Sequence, residues 1–140
     1  MINILSNIIL YDLLYYYIHI ILHNQQIYFI HKIHHNTLYN KLTYKSANNA
    51  NHVEHIIQYV GILIPTIAFK FTMSELFVCF LFIYIRSLLK HEQKFSYIIG
   101  NHHILHHKYP KYNFGEYWLD NIFGTCYPNN DEYIYGIIYT

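Results

Sequence analysis

Long apolar stretches alternate with short polar ones along the chain, and their lengths predict helices rather than strands. Ile8 to Leu22 is nearly all Ile, Leu and Tyr, interrupted by Asp12 and His19, and is long enough to be a membrane-inserted helix. Asn36 to Asn51 is rich in Asn, Lys, Thr and Ser and reads as a surface loop. Apolar character returns at Ile56. As helices, Ile56 to Phe69 would measure about 21 Å and Met73 to Leu89 about 26 Å, both short of the ~30 Å hydrocarbon core. The pair therefore predicts a hairpin that dips deeply or spans a thinned bilayer, broken at Phe69-Lys70-Phe71-Thr72. Thr72 and Glu75 have the spacing of a capping box that starts the second arm. A shorter helix is expected from Tyr97 to His107, ending before Pro110. After turn signals at Pro128-Asn129-Asn130-Asp131, the alternating tail from Tyr133 to Tyr139 fits either a strand or an interfacial segment. The expected architecture is all-α, a single domain over 1–140: a membrane-embedded helical bundle with a histidine-rich metal-binding cap.

Composition supports lipid as the solvent. Hydrophobic residues make up 54% and charged residues 12% of the 140 positions, about half the charged share of an ordinary soluble domain. A net charge of +1 offers no field for phosphates, which excludes nucleic acid as a partner. Cys79 and Cys126 are too isolated for a disulfide framework or a thiolate zinc site. Met1-Ile2-Asn3-Ile4 lacks a basic signal region, so the first apolar stretch is expected to be retained. Lys70 stands alone at the hairpin tip, while the other eight of the 9 basic residues lie toward the polar loop. The positive-inside tendency then places the histidine-rich side in the cytoplasm and the N-terminus opposite.

The anomaly is 12 histidines against 9 lysines and arginines. They fall into clusters: His19 with His23, then His31, His34 and His35, then His103, His106 and His107. Helical residues three or four apart share a face, so each cluster is expected to aim its rings at one place. The separations of His19, His23 and His31 keep register on one continuous helix. Convergent neutral imidazoles suit iron, zinc or copper and disfavour the oxygen-only sites of calcium or magnesium. A lone histidine is more often hydrogen-bonded or solvated than a ligand, and His55 and His102 are read that way. A metal transporter would need histidines along a path through the membrane, whereas these gather at helix ends.

The run from Asp12 through His19 to His23, then His31-Lys-Ile-His34-His35 and His103-Ile-Leu-His106-His107, resembles the histidine boxes of the fatty acid hydroxylase and sterol desaturase superfamily. Asn113-Phe114-Gly115, Asp120 and Phe123-Gly124-Thr125 resemble its closing segment, so the likeness runs from about Asp12 to Thr125. The resemblance implies an endoplasmic reticulum enzyme with two iron ions, hydroxylating or desaturating a fatty acyl chain, sphingoid base or sterol with O2. Cytochrome b5 and its reductase are the implied electron donors, since the chain has no dinucleotide, haem or iron-sulfur motif of its own. His91 stands where the family commonly has another histidine and joins the expected ligands. His52, in a segment like the family's His-Pro-x-Glu, is a candidate to brace a ligand or a plain loop residue. Asn113 and Asp120 are further candidates to brace the rings. Asp12 is either a structural hydrogen-bond acceptor or a brace for a ring other than His19, which lies two turns away. The competing reading is a non-catalytic relative in which zinc staples the same histidines.

Overall fold

The computed structural model describes residues 2–138 of the chain; Met1 and Tyr139, at the two ends considered above, lie outside them. Helix α1 (Ile2–Leu22) begins earlier than expected, since Asn3, Ser6 and Asn7 are absorbed into an otherwise apolar run. Asn7 is fully buried and donates from Nδ2 to Thr66 Oγ1 at 3.1 Å. The continuous helix expected through His31 does not form. Asn24 Oδ1 instead accepts the Gln26 N–H at 3.0 Å, a side-chain turn that competes with the helix ladder. The chain folds back and restarts as α2 (Tyr28–His31).

The polar stretch after His35 is a strap of short 3-10 turns at His34–Asn36, Tyr39–Lys41 and Tyr44–Asn48. A Thr43/Ser46 capping box and the buried side chains of Leu42 and Ser46 hold it down. Helix α3 (His52–Ala68) starts at the polar segment before Ile56 because the Asn51 side chain caps it, accepting the Val53 N–H at 2.9 Å. Its partner α4 (Met73–Lys90) starts at the expected capping box: Thr72 Oγ1 accepts the Glu75 N–H at 3.3 Å and Glu75 accepts the Thr72 N–H at 2.9 Å. Between the arms, Lys70 turns the chain at φ 53°.

Tyr11, Ile62 and Ile83, one from each long helix, form the apolar core, with Tyr15, Leu76 and Phe80 packed on it. Beside that core Asp12 pairs with Arg86, Nη1 donating at 3.0 Å. Asp12 therefore braces no imidazole. A guanidinium fork on α4 satisfies both carboxylate oxygens, as a buried charge requires.

The single helix expected over Tyr97 to His107 is split into α5 (Ser96–Ile99) and α6 (His102–Lys108) by Gly100 at φ 84°. The split makes room for the C-terminal tail. A Cβ on Gly136 would stand 2.3 Å from the Gly100 nitrogen, so two glycines meet where the tail crosses. Ile137 and Ile138 donate to the carbonyls of Tyr97 and Ile98, and Asn101 Oδ1 accepts the Ile134 N–H. The tail is thus an extended strap, and no β-strand occurs among the described residues. Helix α7 (Tyr117–Phe123) ends on Gly124 at φ 70°. Asn3–Leu22 is the one stretch of described helix long and apolar enough to cross a membrane by itself.

Candidate metal centre

Nine imidazoles, the nine singled out in the sequence, converge in two adjoining groups. His19, His23, His31, His35 and His106 form group A, and His34, His91, His103 and His107 form group B; within each group the candidate ligand nitrogens lie within 4.8 Å of one another. The expectation that each cluster aims at one place is corrected in an ordered way. His31 and His35, four apart, turn to group A while His34 turns to group B; His103 and His107, four apart, turn to group B while His106 turns to group A. On α6 the directions of His103 and His107 differ by about 40°, while His106 points about 60° from one and about 100° from the other; in the first triplet His31 ends α2 and His34 opens the 3-10 turn that follows. Group A is completed by His19 and His23 from the end of α1, and group B by His91, the residue that caps α4.

Within group A the Nε2 atoms of His19 and His31 are 2.9 Å apart, His31 and His35 3.0 Å, His35 and His106 3.1 Å, and His106 and His23 3.1 Å. In group B, His91 lies 3.2 Å from His34 and 3.0 Å from His103, and His107 lies 3.1 Å from His34. The far sides of several rings are fixed. His19 Nδ1 donates to Phe114 O, His106 Nδ1 to Tyr112 O at 2.7 Å, His91 Nδ1 to Ser87 O at 2.8 Å and His31 Nδ1 to Glu54 Oε1 at 2.9 Å. Those oxygens only accept, so each neutral ring spends its hydrogen on Nδ1 and presents a lone pair at Nε2. Two lone pairs facing each other across 2.9 Å, as in His19 and His31, repel unless a cation accepts both. Imidazoles bound at about 2.1 Å stand about 3.0 Å apart when adjacent around an octahedral ion and about 3.4 Å apart around a tetrahedral one. The observed spacings match the former, so these residues fit a metal.

Burial keeps the rings ready for it. Desolvation, helped by neighbouring rings, holds His34, His103, His106 and His107 well below the ordinary histidine value. Burial also lowers His23 to about 3, with His31 contributing, and His91 to about 4. At neutral pH these rings carry lone pairs, and metal need not displace ring protons.

The bracing residues differ from those expected. His52 is exposed at the start of α3, whereas Glu54, two residues on and 1% exposed, reaches His31. The segment containing His52 carried the signal, but the first turn of α3 faces the carboxylate inward instead. Asn113, at φ 59°, directs its side-chain hydrogen bonds away from the rings of both groups. Its amide donates to His102 O at 3.1 Å and its oxygen accepts Tyr127 N–H and Tyr133 O–H, tying α6 to the closing loop. Asp120 also misses both groups, because its oxygens are consumed locally by Phe114 N at 2.9 Å, Gly115 N at 2.8 Å, Thr125 Oγ1 at 2.6 Å and His102 Nε2 at 3.0 Å. It holds in place the loop whose Phe114 carbonyl orients His19. Gly115 is needed there, since a Cβ would come within 2.8 Å of the Tyr16 ring. His55 and His102 lie outside both groups. The carbonyls of Ser87, Tyr112 and Phe114 carried no sequence signal, because any residue supplies one.

An all-helical chain with two multi-histidine groups on the ends of its apolar helices belongs to the histidine-box class of metalloproteins. More particularly, the Fatty acid hydroxylase family model matches residues 4–125, which takes in all nine histidines, and the chain belongs to that family. The family is membrane-associated, its members are generally oxidoreductases of lipid hydroxylase or desaturase type, and they are typically iron-dependent. No curated protein and no solved structure matches the chain.

Proposed function

We propose that this protein is an endoplasmic reticulum lipid oxygenase that binds two iron ions through its nine clustered histidines and inserts oxygen into, or desaturates, a fatty acyl, sphingoid or sterol substrate. The observation that carries the reading is the convergence of nine Nε2 atoms in two groups, with ring orientation set from behind by Phe114, Tyr112, Ser87 and Glu54. Five donors in group A exceed the four of a structural zinc site, which favours iron over the zinc-stapled alternative there. Group B, with four, suits either metal. Bound iron would supply the oxygen chemistry that no side chain here can perform. Hydroxylation takes up one O2, two electrons and two protons, leaves one oxygen on carbon and releases the other as water. Cytochrome b5 and its reductase are the proposed electron source. The chain's own part is to hold the rings neutral, fix their direction, and keep the reacting carbon away from bulk water.

Orientation follows from the charge pattern: the strap around Lys41 and Lys45 faces the cytoplasm, and Lys70 lies deep or on the far side. With the native thiols masked, a cysteine at position 45 should label from the cytoplasmic side and one at 70 should not; equal labelling would overturn this arrangement. For the activity, membranes containing the protein and supplied with NADH, 18O2 and cytochrome b5 should yield an oxidised lipid, labelled when hydroxylated. A lipid profile identical to that of the His106→Ala variant, from iron-loaded protein that accepts electrons, would give the structural-metal reading instead.

A further inference from the structure

Three cavities line up along the α3–α4 hairpin and share walls. Near the tip, a groove of about 410 Å³ lies open between the arms and is lined entirely by apolar and aromatic side chains, among them Leu63, Met73 and Phe77. It shares Tyr59, Ile62 and Phe80 with a narrow passage of about 60 Å³. That passage shares Ala47, Gln58, Ile83 and Ser87 with an inner chamber of about 50 Å³, whose walls include Glu116 and the group B histidines His34, His91 and His103. From Phe77 to His91 along α4 the path is about 21 Å long.

The inner end is a built polar site. Glu116 is 5% exposed; its Oε1 is held by Lys90 and by Arg86 at 3.4 Å, while its Oε2 has no partner. A buried carboxylate oxygen left open in this way is costly unless a donor reaches it. The outer end is unpartnered in the opposite sense: Met73 is 82% and Phe77 63% exposed. One molecule satisfies both ends, a single apolar chain whose compact polar end donates a hydrogen bond.

We propose that the hairpin admits a single-chain lipid laterally, tail in the Leu63–Phe77 groove and hydroxyl or ammonium end against Glu116, so that group B faces a carbon close to the polar end. The regiochemistry rests on the oxygenase reading above; the binding site does not. Beyond the groove, a passage of about 60 Å³ and a chamber of about 50 Å³ favour a flexible chain over a fused-ring sterol. The direction also matches that of a lipid already in the bilayer, since the groove lies toward the hairpin tip and the chamber toward the histidines. The wider cleft of about 630 Å³ beside His23, Tyr28 and Phe114 is the rival route.

The test uses the full metal-loaded chain in nanodiscs with a long-chain primary alcohol carrying a mid-chain diazirine, and with its methyl ether, which lacks the donor. The alcohol should label peptides containing Leu63 and Phe77, and the ether should label them at least tenfold less. Ala47→Phe, which fills the passage from the strap, should cut labelling by the alcohol at least tenfold with metal content unchanged; His55→Phe, at a wall residue outside both histidine groups, fills it from α3 should the first variant lose metal. Oxidation of the alcohol within a few carbons of its hydroxyl should fall in parallel. Labelling indifferent to both the ether change and the plug, labelling confined to Tyr28 and Phe114, or equal competition by a sterol would each overturn the site. Correct labelling with no oxidised product would leave the site standing and count against the oxygenase reading. Mid-chain oxidation would overturn the proposed direction.

Discussion

The hairpin and the histidine cap invert the usual distribution of residues. On the α3–α4 hairpin large apolar side chains stand exposed, with Ile67 75% and Met73 82% exposed. In the cap the most buried ones are polar: His106, Asn113 and Asp120 are all at 0%. An outside of Ile, Met and Phe is stable when the surrounding medium is itself apolar. An inside of imidazoles and carboxylates is stable only when its lone pairs and protons have partners, and a metal would supply one to the facing Nε2 atoms of groups A and B. On the proposed function the hairpin depends on its solvent and the cap on its ligand, so substitutions should cost very different amounts in the two regions.

The largest effect is expected at His106, whose Nε2 contacts both His23 and His35 while Nδ1 is held by Tyr112. His106→Ala should empty group A and lower activity by more than about a hundredfold, beyond the range seen for residues that merely brace ligands. His55→Ala, outside both groups, should leave metal analysis unchanged. Equal losses from the two would erase the distinction between cap histidines and ordinary ones.

Next comes Asp120→Ala. It strips acceptors from Phe114 N, Gly115 N and the buried His102, and should cost about 3–5 kcal/mol in detergent unfolding experiments. A loss under about 1 kcal/mol would mean that the closing loop is held by packing instead. Glu54→Gln keeps the shape but weakens the acceptor for His31, and should reduce metal affinity about 10–100-fold in chelator competition. Unchanged affinity would show that His31 needs no carboxylate behind it. The smallest change belongs to the hairpin: Lys70→Gly relieves a positive φ and should shift stability by no more than about 1 kcal/mol, detectable as a small rise in melting temperature. A large loss would give the tip a role that nothing in its contacts suggests.

The difference between the two regions also decides what the sequence reveals. The hairpin was readable, down to its Thr72/Glu75 cap, because its determinants are local and periodic. So were the nine clustered histidines, since imidazole triplets stand out in any chain. What was not readable depends on partners distant in sequence or on backbone atoms. The pairing of Asp12 with Arg86 joins residues far apart on different helices, and neither is marked in sequence as the other's partner. The break at Gly100 exists because Gly136 of the tail needs that space. The turn at Asn24 was legible in principle, but the even spacing of His19, His23 and His31 suggested a continuous helix. Likewise His52 drew attention away from Glu54, since ligand type stands out more than facing direction.

The reciprocal split of the two histidine triplets ties the fates of the two centres together. Each triplet is one short piece of backbone serving both, so closing either centre fixes the pitch and rotation of the segments that form the other. Occupancy is therefore expected to be close to all-or-none: the first ion contributes most of the ordering, and the second finds its seat already formed. For the same reason, neither centre can drift independently as the sequence changes, because a shift of one residue in either triplet would exchange ligands between them.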